Sequence, residues 1–290
     1  STGRRVYFTV KRTLLPQQAP TTDRAPLKDR RTDMNDTELQ LASRVIALLD
    51  LTSLNADDTD ASIQALCRKA LTPVGPVAAV CVYPQFVRLA RSTLNTLGGD
   101  SIQVATVCNF PAGDAPLAEV LEQIRQALQD GANEIDVVYP YRALIGGDEQ
   151  RGRELVAACK ALCEGRALLK VILETGELNA LLIRRASIDA IEAGADFIKT
   201  STGKVKVNAT PEAAELMLHV IAKTNPNVGF KPAGGMRMLG DAAVYLWLAE
   251  HTLGKAWVTP RHLRFGASSL LDNTLELIGL SANTPAQGAY

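Results

Sequence analysis

QDGANEIDVV (Gln129 to Val138) and EAGADFIKTS (Glu192 to Ser201) decide how this chain is read. Each ends a helical pattern, passes through Gly-Ala-Asn or Gly-Ala-Asp, and enters an apolar run carrying a charged residue, Asp136 in the first and Lys199 in the second. Gly131 and Gly194 suit the left-handed position that closes a helix. Asp136 and Lys199 each fall five residues beyond that glycine, which predicts equivalent heights on two strands. Alternation along a strand then sets both on one face, with Ile135 and Val137, or Ile198 and Thr200, on the other.

Outward from this pair, short apolar runs alternate with helical periodicity. Strands are expected at 49–51, 77–83, 102–108, 134–139, 168–174, 197–200, 228–231 and 264–266. Between them lie amphipathic patterns such as 116–129, with Leu117, Val120, Leu121, Ile124 and Leu128 at helical spacing. Another opens at Thr210 with Pro211 as its first helical residue. Strands separated by helices make a parallel sheet, because parallel neighbours need a crossover. Eight such units predict an α/β fold closed as a (β/α)8 TIM barrel. The outer surface of a barrel packs on helices, so the charged pair should point inward.

At 290 residues, with 47% hydrophobic and 21% charged, the chain suits one globular domain of barrel size. Residues 1–35 stand apart as a basic leader expected not to fold, with Arg4, Arg5, Lys11, Arg12, Arg24, Lys28, Arg30 and Arg31 among prolines and threonines. A transit peptide suits these arginines but not Asp23, Asp29 and Asp33; the other reading is an expression scar or an upstream start before Met34. The barrel is assigned to 36–280 and a mobile tail to 281–290. With 31 basic and 31 acidic residues, no net field draws the protein to nucleic acid or an anionic membrane. No apolar run approaches the roughly 20 residues needed to span a bilayer. Five cysteines form no CxxC pair, and three scattered histidines form no HxH or HExxH, so no metal site is expected and a reducing cytoplasm fits best. Cys81 and Cys108 read as small buried hydrophobes.

Lysine is rarely buried without a partner, which singles out Lys170, Lys199 and Lys231 together with Asp50, Asp136 and Glu174 in the strand runs. Lys170 and Glu174 suit an ion pair inside the barrel. Lys199 and Lys231 end neighbouring strands, where barrel active sites form, with backbones roughly 5 Å apart. Desolvation and mutual repulsion lower a lysine pKa and leave an amine able to attack a carbonyl. The turns after strands six, seven and eight supply Thr202, Gly203 and Lys204, then Gly234 and Gly235, then Gly266, Ser268 and Ser269. Each alone could be a plain turn. Three at adjacent strand ends beside two lysines point to a phosphate cradle and a sugar-phosphate ligand.

From about Asn35 to the end, the chain resembles the deoxyribose-phosphate aldolase family, above all through LLDLTSLNADDTD, VATVCNFPAG, EIDVVYPYRAL, LLKVILETGEL, FIKTSTGK, GFKPAGGMR and RFGASSLL. The resemblance implies a cofactor-free class I aldolase that interconverts 2-deoxy-D-ribose 5-phosphate with acetaldehyde and D-glyceraldehyde 3-phosphate. It implies Lys199 as the imine-forming residue, Lys231 as the lysine that perturbs it, and Asp136 as the acid/base working through a water. Asp50, Cys81 and Lys170 take supporting places in or near the pocket. Tyr290, the last residue, matches a tail tyrosine implied in proton exchange, and a homodimer is implied as the assembly. The competing readings are another Schiff-base barrel aldolase or a transaldolase, separated by product, and a non-catalytic sugar-phosphate-binding barrel, separated by turnover.

Overall fold

A computed structural model describes residues 27–280, with side chains from residue 37 onward. The expected barrel is present. Its strands are β1 (Leu49–Ser53), β2 (Ala79–Val82), β3 (Gln103–Cys108), β4 (Glu134–Val138), β5 (Leu168–Ile172), β6 (Phe197–Lys199), β7 (Gly229–Lys231) and β8 (Phe265–Ala267). All neighbouring pairs are parallel, in the order β8-β1-β2-β3-β4-β5-β6-β7. Between β7 and β8 the ring is closed by the Phe230 amide donating to the His262 carbonyl at 2.7 Å and the Gly266 amide to the Pro232 carbonyl at 2.9 Å. A short antiparallel hairpin, Leu71–Thr72 with Gly75–Pro76, interrupts the first crossover and was not foreseen from the sequence. The helix Leu27–Ala47 starts inside the stretch read as an unfolded leader, so residues 27–35 have helical backbone. Residues before Leu27, and the tail with Tyr290, lie outside the described residues. Among the described residues no helix is long and apolar enough to cross a membrane.

The two repeated links adopt one geometry. Gly131 and Gly194 have φ of 101° and 109°, and the next amides, of Ala132 and Ala195, donate back to the carbonyls of Ala127 and Ala190. Left-handed backbone at both positions is why glycine stands there. Outward strand residues such as Val80, Ile135, Val171, Ile198 and Phe230 enter the main apolar core against the helices. Truncating one of these to alanine costs about 2–5 kcal/mol.

The inner face is divided. Leu54, Cys81, Ala105 and Val107 form a small apolar cluster on the β1 to β3 side. Across from it β4 to β7 present charge, joined by Asp50 of β1 and by Arg264 just before β8. Asp136 and Lys199 both point inward, as alternation requires, but they are not level. Asp136 pairs with Lys170, and Lys170 with Phe197, so Lys199 stands two residues higher, opposite Ile172. Closing eight tilted strands staggers them by about one residue per strand, and β6 is two steps round the barrel from β4. Equal counting from a helix cap therefore does not give equal height. Lys199 and Lys231 are in register, as expected for neighbours.

Candidate active site

Seven residues with charged side chains fill the barrel interior, each residue at most 3% exposed: Asp50, Glu134, Asp136, Lys170, Lys199, Lys231 and Arg264. Asp136 is the hub. Its Oδ2 accepts from Lys199 Nζ at 2.9 Å and from Lys231 Nζ at 2.8 Å, and its Oδ1 accepts from Lys170 Nζ at 2.9 Å. Lys231 also donates to Asp50 Oδ2 at 2.6 Å, and Lys170 to Glu134 Oε1 at 2.7 Å. Below them Arg264 spans Asp50 and both oxygens of Glu134, each at 2.8 Å. The Phe197 ring packs under Arg264 and Lys170, and Gly229 leaves room for it, since a Cβ there would meet the ring at 2.4 Å.

Burial acts against charge on all seven, and the outcome differs by partner. For Asp136 burial raises the pKa, but Lys170, Lys199 and Lys231 overcome it and hold the carboxyl well below the usual range. Asp50 is likewise net lowered against burial, by Lys231, Lys170 and Arg264. Lys231 is driven upward because Asp136 and Asp50 outweigh burial, so it stays an ammonium. Lys199 alone among the lysines moves downward: burial dominates, Asp136 opposes it, and Lys231 adds to it. Asp136 is shared among three ammonium groups, which dilutes what it can give Lys199. The two causes expected from the sequence, burial and a neighbouring lysine, both lower Lys199, whereas the carboxylates of Asp136 and Asp50 secure the charge on Lys231.

Lys199 is also the cation of this cluster that lines a cavity of about 260 Å³ at the C-terminal mouth. The predicted cradle residues Thr202, Gly203, Lys204, Gly234, Gly235, Gly266, Ser268 and Ser269 line the same cavity. Gly203, Gly234 and Gly235 have φ near 80°. Not every predicted amide is open to a ligand. The Gly203 amide donates to Asn208 Oδ1 at 3.1 Å, and the Gly234 amide closes the barrel onto the Gly266 carbonyl at 3.2 Å. Gly235, Ser268 and Ser269 have amides with no partner among the described residues, the serines leading into the helix Leu270–Leu277. Glycine at 266 is required by the lysine beside it: a Cβ would sit 2.9 Å from Ala233 Cβ and 3.0 Å from Lys231 Cε.

Glu174, read as half of an ion pair with Lys170, does something else. At φ 61° its carboxylate accepts from the Thr202 amide at 3.1 Å and hydroxyl at 2.6 Å, fixing the turn that carries Lys204. Lys204 Nζ donates to the Leu54 carbonyl at 2.5 Å across the mouth. Asp50, Cys81 and Lys170 lie beneath the cavity and are fully buried, so they support Lys231 and Asp136 from below. Glu134 and Arg264 went unremarked in the sequence, although Glu134 is two residues from Asp136 and therefore on its face. Thr52 of β1 and the loop residues Asn55 and Arg237 are further cavity residues that the sequence did not single out within their motifs.

Residues 44–273 match the family model for DeoC/LacD family aldolase. A candidate deoxyribose-phosphate aldolase from Toxoplasma gondii ME49 superposes with a TM-score of 0.76 at 26% identity, covering 84% of this chain and 96% of that one. One from Coccidioides immitis gives 0.70 at 25%, covering 86% and 98%. An aldolase called QR15 gives 0.68 at 28%, covering 81% and 96%.

Proposed function

The chain belongs to the DeoC/LacD family of aldolases, and we propose that it cleaves 2-deoxy-D-ribose 5-phosphate, reversibly, to acetaldehyde and D-glyceraldehyde 3-phosphate through an imine on Lys199. One observation carries this: of four buried cations, the one whose amine is biased toward neutrality is the one that reaches the cavity.

Neutral Lys199 adds to C1 of the open-chain aldehyde, and loss of water gives an iminium. Lys231, an ammonium in register beside it, supplies the proton with which the hydroxyl leaves as water, and the nitrogen lone pair completes the iminium. Asp136 is a weak base while two ammonium groups, Lys170 and Lys231, and the Lys199 amine all donate to it. It gains basicity as Lys199 leaves Oδ2 to bond carbon, and a water between Asp136 and the C3 hydroxyl then relays the proton. The electron pair of the C2–C3 bond passes into the iminium, glyceraldehyde 3-phosphate departs, and the enamine left behind is protonated at C2. Hydrolysis of that imine frees acetaldehyde and regenerates the amine.

The phosphate is assigned to the open amides of Gly235, Ser268 and Ser269 with Lys204 at the rim, where it anchors the sugar and holds C1 near Lys199. Tyr290 keeps the proton-exchange role the resemblance implies; Tyr290→Phe should lower kcat with little change in KM. A homodimer, the assembly the resemblance implies, is tested by light scattering. The reaction is tested by following acetaldehyde release from deoxyribose 5-phosphate by wild type and Lys199→Ala; equal rates would refute it.

A further inference from the structure

We propose that Glu134 and Arg264 are positioning residues which, from the far end of the barrel, fix the balance of charge that leaves Lys199 the uncharged amine of the interior. The inference rests on the aldolase reading. Neither residue lines the cavity that Lys199 opens into; both line a separate cavity of about 540 Å³ at the opposite mouth. Their action on the chemistry must therefore pass through the residues between.

Those residues form a closed set. Asp50, Glu134 and Asp136 supply three carboxylates, and Lys170, Lys231 and Arg264 supply three cations, each hydrogen bonded to at least one carboxylate. With Lys199 neutral these groups sum to zero. A proton on Lys199 would add a positive charge whose contact, Asp136 Oδ2, is already taken by Lys231. The groups that act on Lys199 from the other strands are Asp136 on β4, Lys231 on β7 and Cys81 on β2, whose thiol burial keeps neutral; Lys170 on β5 and Asp50 on β1 stand behind them, bonded to Asp136 and Lys231. Glu174, beyond β5, is committed to Thr202 and is untouched by changes at the far end.

Glu134 closes the count on the negative side by holding Lys170 and Arg264; Arg264 closes it on the positive side by holding Glu134 and Asp50. Removing one charge leaves the interior unbalanced in a known direction, and Lys199, the group with the weakest hold on its proton, absorbs the difference. Glu134 lies two residues below Asp136, about 7 Å along the strand. Its charge therefore acts on Lys199 over about 10 Å, worth about one pH unit in an effective dielectric near 20.

The test is the acid limb of kcat/KM against pH for deoxyribose 5-phosphate cleavage, with borohydride trapping on Lys199 read alongside. Arg264→Gln should move the limb up by about one unit and Glu134→Gln should move it down by about as much. The double variant restores the count and should return the limb to the wild-type position, and Arg264→Lys should leave it there. A merely structural role lowers activity or stability in both single variants without moving their limbs in opposite directions. Limbs that stay put, or move together, in proteins that still trap on Lys199 would overturn this inference alone. If neither single variant folds, a displaced limb in the double variant overturns it. A wild type with no trapped adduct on Lys199 would overturn the aldolase reading first.

Discussion

Replacing Lys231 with leucine removes the cation beside the proposed nucleophile, and the structure sets the size of the effect. Both ammonium groups bond Asp136 Oδ2, at 2.9 Å from Lys199 and 2.8 Å from Lys231, so the sum of those distances, 5.7 Å, is the widest they can stand apart. Two unit charges at that separation repel by about 3 kcal/mol in an effective dielectric near 20, or about two pKa units. Without Lys231 the Lys199 amine should hold its proton to a pH about two units higher, and more of Asp136 becomes available to it, which acts in the same direction. Cleavage by Lys231→Leu near pH 7 should fall at least about 100-fold and recover in part as pH rises past the new limb, the remaining deficit being the lost proton donor. The assay is kcat/KM from pH 5 to 10, with cyanoborohydride trapping of acetaldehyde at each pH. A loss that is flat across pH would mean that Lys231 acts only in proton transfer, and an unmoved limb with normal activity would mean that it does neither.

Gly234→Ala meets two obstacles, φ of 80° and a Cβ placed 2.8 Å from Asn208 Cβ, so the turn beside the cradle must shift. KM for deoxyribose 5-phosphate should rise about tenfold or more while turnover of unphosphorylated deoxyribose changes little; equal losses on both would remove phosphate from this turn. Asp136→Asn strips Lys170, Lys199 and Lys231 of a shared carboxylate, and chemical denaturation should show a loss of about 3–5 kcal/mol. Acid stability has a defined sign. Asp50, Glu134 and Asp136 all have lowered folded-state pKa values, so the stability they give is complete above their ordinary values near 4 and is lost as pH falls through the folded ones. Melting temperature should therefore drop steeply below about pH 4, less steeply in Glu134→Gln, and a wild-type curve flat to pH 2 would contradict it.

Much of the fold was readable because a parallel barrel repeats one unit. Each strand is a short apolar run preceded by a helical segment, several of them closed by a left-handed glycine such as Gly98, Gly131, Gly165 and Gly194, and all eight fall where periodicity places them to within a few residues. The Leu71–Pro76 hairpin escaped because strands of two residues have no periodicity to read. Asp136, Lys199 and Lys231 could be found as charges in apolar runs, yet their relative heights could not, since stagger is a property of closure rather than of any one strand. The cradle loops were visible by composition, whereas which amides stay open depends on Asn208 and the β7–β8 seam, contacts that no local window contains. Glu134 was within reach, sharing a face with Asp136. Arg264 was not, because only the closed barrel carries it beneath Asp50.

The central claim is that Lys199 forms the imine. Incubating the protein with acetaldehyde and borohydride, then mapping the modified peptide by mass spectrometry, tests it most directly. One added ethyl group is expected, carried on Lys199 and absent from Lys199→Ala. An ethyl group on Lys170, Lys204 or Lys231 in its place, or an unmodified Lys199 in protein that still releases acetaldehyde from deoxyribose 5-phosphate, would contradict it.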